Sequence, residues 1–387
     1  MIINSRLDTD LYKLTTLYIF WKYFRGQKAR YVFKCRNKGI NLAPLVNDIN
    51  RELDHLCTLK FHRDEYLWLW ELGYWPDMEF RRWLLDNKLQ RRTIKAEVRN
   101  NDLYIEADGP LEDAMQFEIY VMEIVNELYF QKYYPGLSAR GLKLLRQGLA
   151  KLPEDFTFAE FGCRRRYSFD HQDAVLAELK DCGAARFNFA GTSNLYFAKK
   201  YGLREIGTQP HEFFQVCQAN FPLRYFQKEA LKLWIKTFPT LDTALTDTIG
   251  IHAFCRDLDR ELAIAYKGYR HDSGPPDRWR EVLLNRLDAL KVETLETKAT
   301  YSNSLNFESA THIHHENKGI CRPGFGLGTF VTNNVGQDVT PLNIVMKIVM
   351  CDGQHVAKLS DDEGKGMSES PTYEAYLREV IHFQQLT

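Results

Sequence analysis

No two of the eight cysteines, at 35, 57, 163, 182, 217, 255, 321 and 351, are spaced Cys-x-x-Cys, so the chain carries neither a zinc-ribbon spacing nor a thioredoxin-like pair. Spread singly over 387 residues, they read as reduced thiols, and the cytoplasm is the expected location. Charge of one sign is also lacking: Lys plus Arg and Asp plus Glu both number 51. A neutral chain is not steered as a whole toward nucleic acid or a membrane surface, so neither is expected as a partner and any anion site must be local. No apolar run approaches the roughly 20 residues a bilayer span requires. The opening MIINSRLDTD does not have the charged-then-apolar pattern of a signal peptide. Repeats, low-complexity tracts and Gly/Ser/Pro linkers are missing too. What remains, at 44% hydrophobic and 26% charged residues, is an ordinary globular composition.

The hydrophobic pattern changes once along the chain. A helix is expected over about 10–23, a strand over 29–35 and Trp-rich helices over 44–88. Two alternating runs around Asn100-Asn101-Asp102 predict a hairpin over 93–109, and the pattern of 111–134 predicts one connecting helix. From about 156 short strands alternate with polar loops and helices. Strands are expected at 156–161, 186–190, 204–208, 243–247, 264–270, 299–303 and 324–328, with helices such as 251–262 and 277–290 between them. This alternation implies parallel strands with covering helices, as in an α/β barrel or, less readily, a doubly wound sheet. Two apolar runs around Asp352-Gly353 predict a hairpin within 341–361. The expected organisation is an N-terminal α+β domain over 1–135, a barrel over 136–340, and a C-terminal hairpin and helix over 341–387 that returns to the first domain.

Functional side chains in barrels sit in the loops after the strands. Those loops hold Phe161-Gly-Cys-Arg164-Arg165-Arg166, Gly191-Thr192-Ser193-Asn194, Thr208-Gln-Pro-His211-Glu212, Asp247, Arg270-His271-Asp272-Ser273-Gly274, Ser302-Asn303 and Gly326-Leu327-Gly328-Thr329. Glycines let backbone N–H groups approach an oxyanion, and a helix starting after Thr329 would add its dipole. One inward arginine can grip a planar carboxylate with two hydrogen bonds. Asp272, between a cation and a hydroxyl, suits ribose hydroxyls or a metal ion. His312, His314 and His315 lack the i, i+4 spacing of a zinc pair, so no metal site is expected there. Grips for a sugar phosphate and a carboxylate, with no nucleotide P-loop, suggest transfer of a phosphoribosyl group.

At these residues the chain resembles the nicotinate phosphoribosyltransferases. The resemblance runs through LDTDLYKL (7–14), EFGCRRR (160–166), GTSN (191–194), GTQPHE (207–212), LTDT (245–248), YRHDSG (269–274), FGLGT (325–329) and PLNIVMKIV…AKLSDDEGK (341–365). It implies an incomplete α/β barrel of the type II phosphoribosyltransferases with an N-terminal sandwich-like α+β domain, working as a homodimer with shared active sites. It implies ATP-coupled, ligase-type joining of nicotinate to 5-phosphoribosyl 1-pyrophosphate in NAD salvage, with Mg²⁺ on the pyrophosphate. His211 matches the histidine that ATP phosphorylates. Phe161 and Tyr12 match the aromatics that sandwich the pyridine, the tyrosine coming from the neighbouring subunit, and Arg164 matches a base-contacting arginine. Arg270, Asp272 and Ser273 match residues around the phosphoribosyl group, and Ser302, Asn303 and Gly326 to Thr329 lie where the 5-phosphate is held. Thr192, Ser193, Thr208, Asp247 and Gly274, in the same motifs, complete the expected substrate contacts.

The sequence departs from the family pattern in three places. Pro210 replaces a common alanine, and Pro275 and Asn303 replace two acids, which weakens any assignment of magnesium ligands. Ser193 stands where nicotinamide-using relatives tend to carry aspartate; a serine can donate to a carboxylate, which favours nicotinate. Glu212 either orients the His211 ring or is a first-turn acid favoured by the helix dipole. The alternatives are a nicotinamide or quinolinate phosphoribosyltransferase, a sugar-phosphate aldolase or isomerase barrel, for which the seven loops offer no Schiff-base lysine, and an inactive scaffold.

Overall fold

The computed structural model describes residues 1–362 and 365–386, and only the backbone of 182–186. Glu363 and Gly364, inside the AKLSDDEGK motif, lie outside the described residues. The chain divides into two compact units, one of residues 1–206 and 327–347, the other of 207–326 and 348–387. Compactness therefore cuts the chain elsewhere than at 135 and 340.

In the first unit the helix Leu11–Tyr23 is buried over most of its surface. Strands β1 (Lys28–Cys35), β2 (Ile94–Arg99) and β3 (Asp102–Pro110) pair antiparallel, β3 with both others. The expected hairpin turns at Asn100 and Asn101, with φ of 50° and 64°, the left-handed conformation that asparagine tolerates best among non-glycine residues. The single helix expected over 111–134 is instead two, Leu111–Ala114 and Phe117–Tyr133. At the break the Lys13 ammonium donates to the Met115 carbonyl at 2.9 Å, so that carbonyl has a partner outside the helix.

Strands β4 (Thr157–Glu160) and β5 (Asn188–Thr192) pair in parallel. The strand expected at 204–208 is reduced to one bridge, Thr192 with Glu205. The cause lies at Gly191, whose φ is +134° and where a Cβ would meet the Arg204 carbonyl oxygen at 2.0 Å. Backbone this close, in a conformation reserved for glycine, turns the chain out of a regular ladder.

The second unit holds β6 (Thr243–Leu245), β7 (Gly268–His271), β8 (Lys298–Tyr301) and β9 (Arg322–Leu327), whose last residue, Leu327, belongs to the first unit. Neighbours pair in parallel in the order 6-7-8-9. The helix expected at 251–262 is two, Ile251–Asp257 and Arg260–Ala265. Asp259 restarts it by accepting the Leu262 N–H at 2.9 Å, a local N-cap. The second helix displaces the start of the strand expected at 264 to Gly268. Strands β10 (Ile344–Cys351) and β11 (Gln354–His355) form the expected hairpin, and Asp352 takes a φ of 47° at its turn. The helix Pro371–Val380 follows. The architecture is α/β, an incomplete barrel with an α+β part at the N-terminus.

Candidate active site

The candidate residues gather in two clusters, one in each unit. In the first unit, Phe161 leaves β4 with its N–H on the Leu327 carbonyl at 2.8 Å, and the Ser193 N–H bonds the Glu160 carbonyl at 2.9 Å. Phe161 and Ser193 are thus neighbours, fixed by backbone. A Cβ at Gly328 would lie 3.1 Å from the Phe161 carbonyl oxygen. The helix after it, Thr329–Thr332, is a single turn, so the expected dipole has little length to act over. Thr192 directs its hydroxyl inward, to Glu160 at 2.5 Å, and builds the loop rather than offering a donor. Burial pushes the Glu160 carboxyl up to about 7.

Of the three arginines, Arg166 is wholly buried and gives Asp8 two bonds, at 2.7 and 2.8 Å. Glu123 and Glu127 approach Arg166 at 3.5 and 3.7 Å, and burial pushes Glu127 up to about 7. Asp8, Glu123 and Cys163 converge closely, but the guanidinium is the cation they surround. Arg164 is half-buried, with its guanidinium 6.0 Å from the Tyr12 ring centre of the same chain and 4.0 Å from Glu118. Glu118 also receives Lys13 at 2.5 Å and Lys347 at 2.8 Å. Burial raises its carboxyl, yet Lys13, Lys347 and Arg164 together hold it well below the usual glutamate range. The Ser193 hydroxyl donates to the buried Asp10 carboxylate at 2.5 Å. The donor expected of Ser193 is therefore engaged in this structure, and Asp10, which motif reading passed over, joins the candidate residues.

In the second unit, His211 is the first residue of the helix His211–Asn220. Pro210 stops the preceding chain, and Phe213 and Phe214, both fully buried, anchor the helix start. His211 Nε2 lies 2.8 Å from Asp247, just past β6, and 3.8 Å from Asp272. Asp247 also accepts from Ser273 at 2.6 Å and from the Lys358 ammonium at 2.9 Å. Burial alone would raise Asp247, but Lys358 and His211 hold it well below the aspartate range. Burial and then Lys358 lower the His211 pKa, so the imidazole is neutral at neutral pH.

Arg270 is tied on three sides, donating to Thr208 at 2.7 Å, Ser302 at 2.8 Å and Asp272 at 3.0 Å. Against the effect of burial, Arg270 brings Asp272 down to about 2. Gly274, with φ +80°, gives its N–H to Asp362 at 3.0 Å. Asn303 donates to Asp362 at 3.0 Å and accepts from Lys365 at 2.6 Å. Gly326 lies buried within β9. Lys358, Asp362 and Lys365 were not singled out from sequence, although the AKLSDDEGK run places two lysines around two aspartates. His312 and Glu316 form an exposed pair at 3.3 Å. The 312–316 histidines join no cluster of metal-ligating groups among the described residues. Glu212 is buried in the first turn behind His211.

A neutral imidazole backed by an ionised carboxylate, with an ammonium and a guanidinium close by, is suited to handling phosphate. A half-buried arginine 6.0 Å from the Tyr12 ring is suited to a flat acid. Comparison with known proteins agrees with this chemistry. Residues 156–385 match the nicotinate phosphoribosyltransferase (NAPRTase) family and residues 7–126 match the NAPRTase N-terminal domain. The nicotinate phosphoribosyltransferase of Acinetobacter baumannii is 41% identical over 100% of this chain and 98% of its own. That of Neisseria gonorrhoeae is also 41% identical, over 98% and 97%. The crystal structure of the Vibrio cholerae nicotinate phosphoribosyltransferase superposes with a TM-score of 0.93 at 31% identity, covering 99% of this chain and 95% of the other. The Porphyromonas gingivalis structure gives 0.90 at 30%, covering 99% and 100%. The chain belongs to the nicotinate phosphoribosyltransferase family.

Proposed function

We propose that the protein transfers phosphoribosyl from 5-phosphoribosyl 1-pyrophosphate to nicotinate in NAD salvage, driven by ATP through a phosphohistidine at His211. The observation that carries this reading is the His211–Asp247–Lys358 constellation in a chain that belongs to the family. An ionised Asp247 can only accept a hydrogen bond, so Nε2 carries the ring proton and Nδ1 the lone pair, which makes the ring a nucleophile. Arg270 and Thr208 supply donors for the sugar phosphate, and Ser302, which donates to Asp272 at 2.8 Å, holds Arg270 in place. Phe161 and Tyr12 fix the plane of the pyridine, and Arg164 meets its carboxylate. As pyrophosphate departs, the anomeric carbon becomes cationic and the ring nitrogen attacks it, so no protein nucleophile is needed at that step.

Magnesium is the expected companion of the pyrophosphate. Asp272 fits that role through Oδ2, being half-buried and ionised with Oδ1 taken by Arg270 and Ser302, whereas both Asp247 oxygens are already taken by His211, Ser273 and Lys358. When bound, the ion would neutralise the leaving group, with one carboxylate and substrate oxygens as ligands. No described helix is long and apolar enough to cross a membrane, and a cytoplasmic homodimer with shared active sites is the proposed form. The test is incubation with ATP, nicotinate and the pyrophosphorylated sugar. Nicotinate mononucleotide and an acid-labile phosphohistidine are the expected products. Carbon dioxide release from quinolinate, or no product from nicotinate, would overturn the reading.

A further inference from the structure

Asp247 and Asp272, the two carboxylates that face His211, lie on different loops, one after β6 and the other after β7. Buried Asp361 ties these loops together. Its Oδ2 accepts from the Ile251 N–H at 3.0 Å, at the end of the first loop, and its own N–H bonds the Ser273 hydroxyl oxygen at 3.2 Å, in the second. A hydroxyl has one proton to give. With the Asp361 N–H on its oxygen, Ser273 directs that proton at Asp247, 2.6 Å away. Residues 383–386, which follow the helix Pro371–Val380, pack on Asp361 and on both loops. Each loop carries one left-handed glycine, Gly250 with φ +83° and Gly274 with φ +80°. A Cβ at Gly250 would lie 3.0 Å from Phe383 Cε2 and 3.0 Å from Asp361 Oδ1, and one at Gly274 would lie 2.9 Å from Leu386 Cδ2 and 3.1 Å from Asp361 Cβ. The segment thus meets each loop where the backbone has no side chain to keep it off.

Gln385 adds an amide N–H to the Asp361 carbonyl, and Leu386 is buried. Two arginines fix the path of the segment: Arg256 donates to the Ile381 carbonyl at 2.6 Å, and the Arg378 guanidinium lies 4.4 Å from the Phe383 ring centre. We infer that residues 383–386 are positioning residues for the phosphorylation of His211, acting through Asp361 and Ser273 on Asp247. In that step the Nδ1 lone pair bonds the γ-phosphorus of ATP, the bond to the bridging oxygen breaks, and ADP leaves with its electrons. Nε2 keeps its proton, the ring gains a positive charge, and Asp247 is the carboxylate that offsets it. A segment that fixes where Asp247 points acts on this step, whereas attack of the pyridine on the anomeric carbon does not use the imidazole.

This inference rests on the proposed ATP-coupled activity. Its test compares the wild type with Leu386→Ala and with Gln385→Met, which keeps the side-chain length and loses the amide donor. Nicotinate mononucleotide is measured with and without ATP, alongside the yield of acid-labile phosphohistidine. In each variant the ATP-stimulated rate and the phosphohistidine yield are expected to fall by about fivefold to tenfold, the scale of one hydrogen bond, while ATP-independent transfer and the nicotinate KM hold. Equal loss of both rates overturns the inference, since a merely structural contact would give it, and so does unchanged stimulation by ATP. In a Ser273→Ala background the Gln385 change should add no further loss, because its route is already cut; additive losses overturn that route. If Leu386→Ala does not fold, Gln385→Met decides alone. A wild type with neither stimulation by ATP nor phosphohistidine overturns the proposed role of His211 first, and this inference with it.

Discussion

His211 sits at a helix start, where its ring is 2.8 Å from one carboxylate and 3.8 Å from another, and this placement separates its role from that of a routine first-turn histidine. His211→Ala is expected to abolish stimulation by ATP while leaving slow, ATP-independent transfer, measured as nicotinate mononucleotide formed with and without ATP. Retained coupling would remove the proposed role. Arg164→Ala is expected to raise the nicotinate KM by about tenfold to a hundredfold, the equivalent of about 1.5–3 kcal/mol for a charge-assisted hydrogen bond; an unchanged KM would count against it. At this scale the sequence was informative about residue type at strand ends: His211, Asp247, Arg270 and Asp272 come together as their loops implied. Asp10 and Lys358 were not legible, because the first lies ahead of the barrel strands and the second arrives after a hairpin remote in sequence. Neither position follows from any local spacing.

Strong periodicity and turn chemistry carried the elements. The Asn100-Asn101 hairpin, the Leu11–Tyr23 helix and the parallel strands were readable from pattern alone. Two of the elements that pattern misjudges are decided by a remote partner, Lys13 at the Met115 break and Arg204 against Gly191, while the 251–262 helix is broken locally by the Asp259 cap. Gly191 therefore offers a test at the level of one strand. Gly191→Ala should drive a methyl into the Arg204 carbonyl and cost about 2–4 kcal/mol, read as lower thermal stability or loss of soluble protein. Since Thr192 and Ser193 follow directly, any folded variant should also bind nicotinate more weakly.

Across the whole molecule, three buried carboxyls, Glu127, Glu160 and Asp361, are each pushed up to about 7. An acid whose pKa is higher folded than unfolded keeps its proton in the native state after the unfolded chain has lost it. Stability from these groups is present below about pH 4.5 and is lost as pH rises to about 7. Melting temperature is expected to fall across that window. Glu127→Gln should flatten the fall and be the more stable protein at pH 8, by at most about 3.5 kcal/mol at ~1.4 kcal/mol per pH unit. An identical pH profile for both proteins would contradict this. The path of the chain through the two units has a practical corollary. The second unit needs residues 348–387 as well as 207–326, and the first recovers 327–347 after a long excursion. A polypeptide cut short at 206, 326 or 347 therefore contains at most one complete unit, and no single cut liberates both. Such interlacing makes the gene poorly suited to dissection by truncation; a circular permutant, which keeps every residue, is the rearrangement it should tolerate.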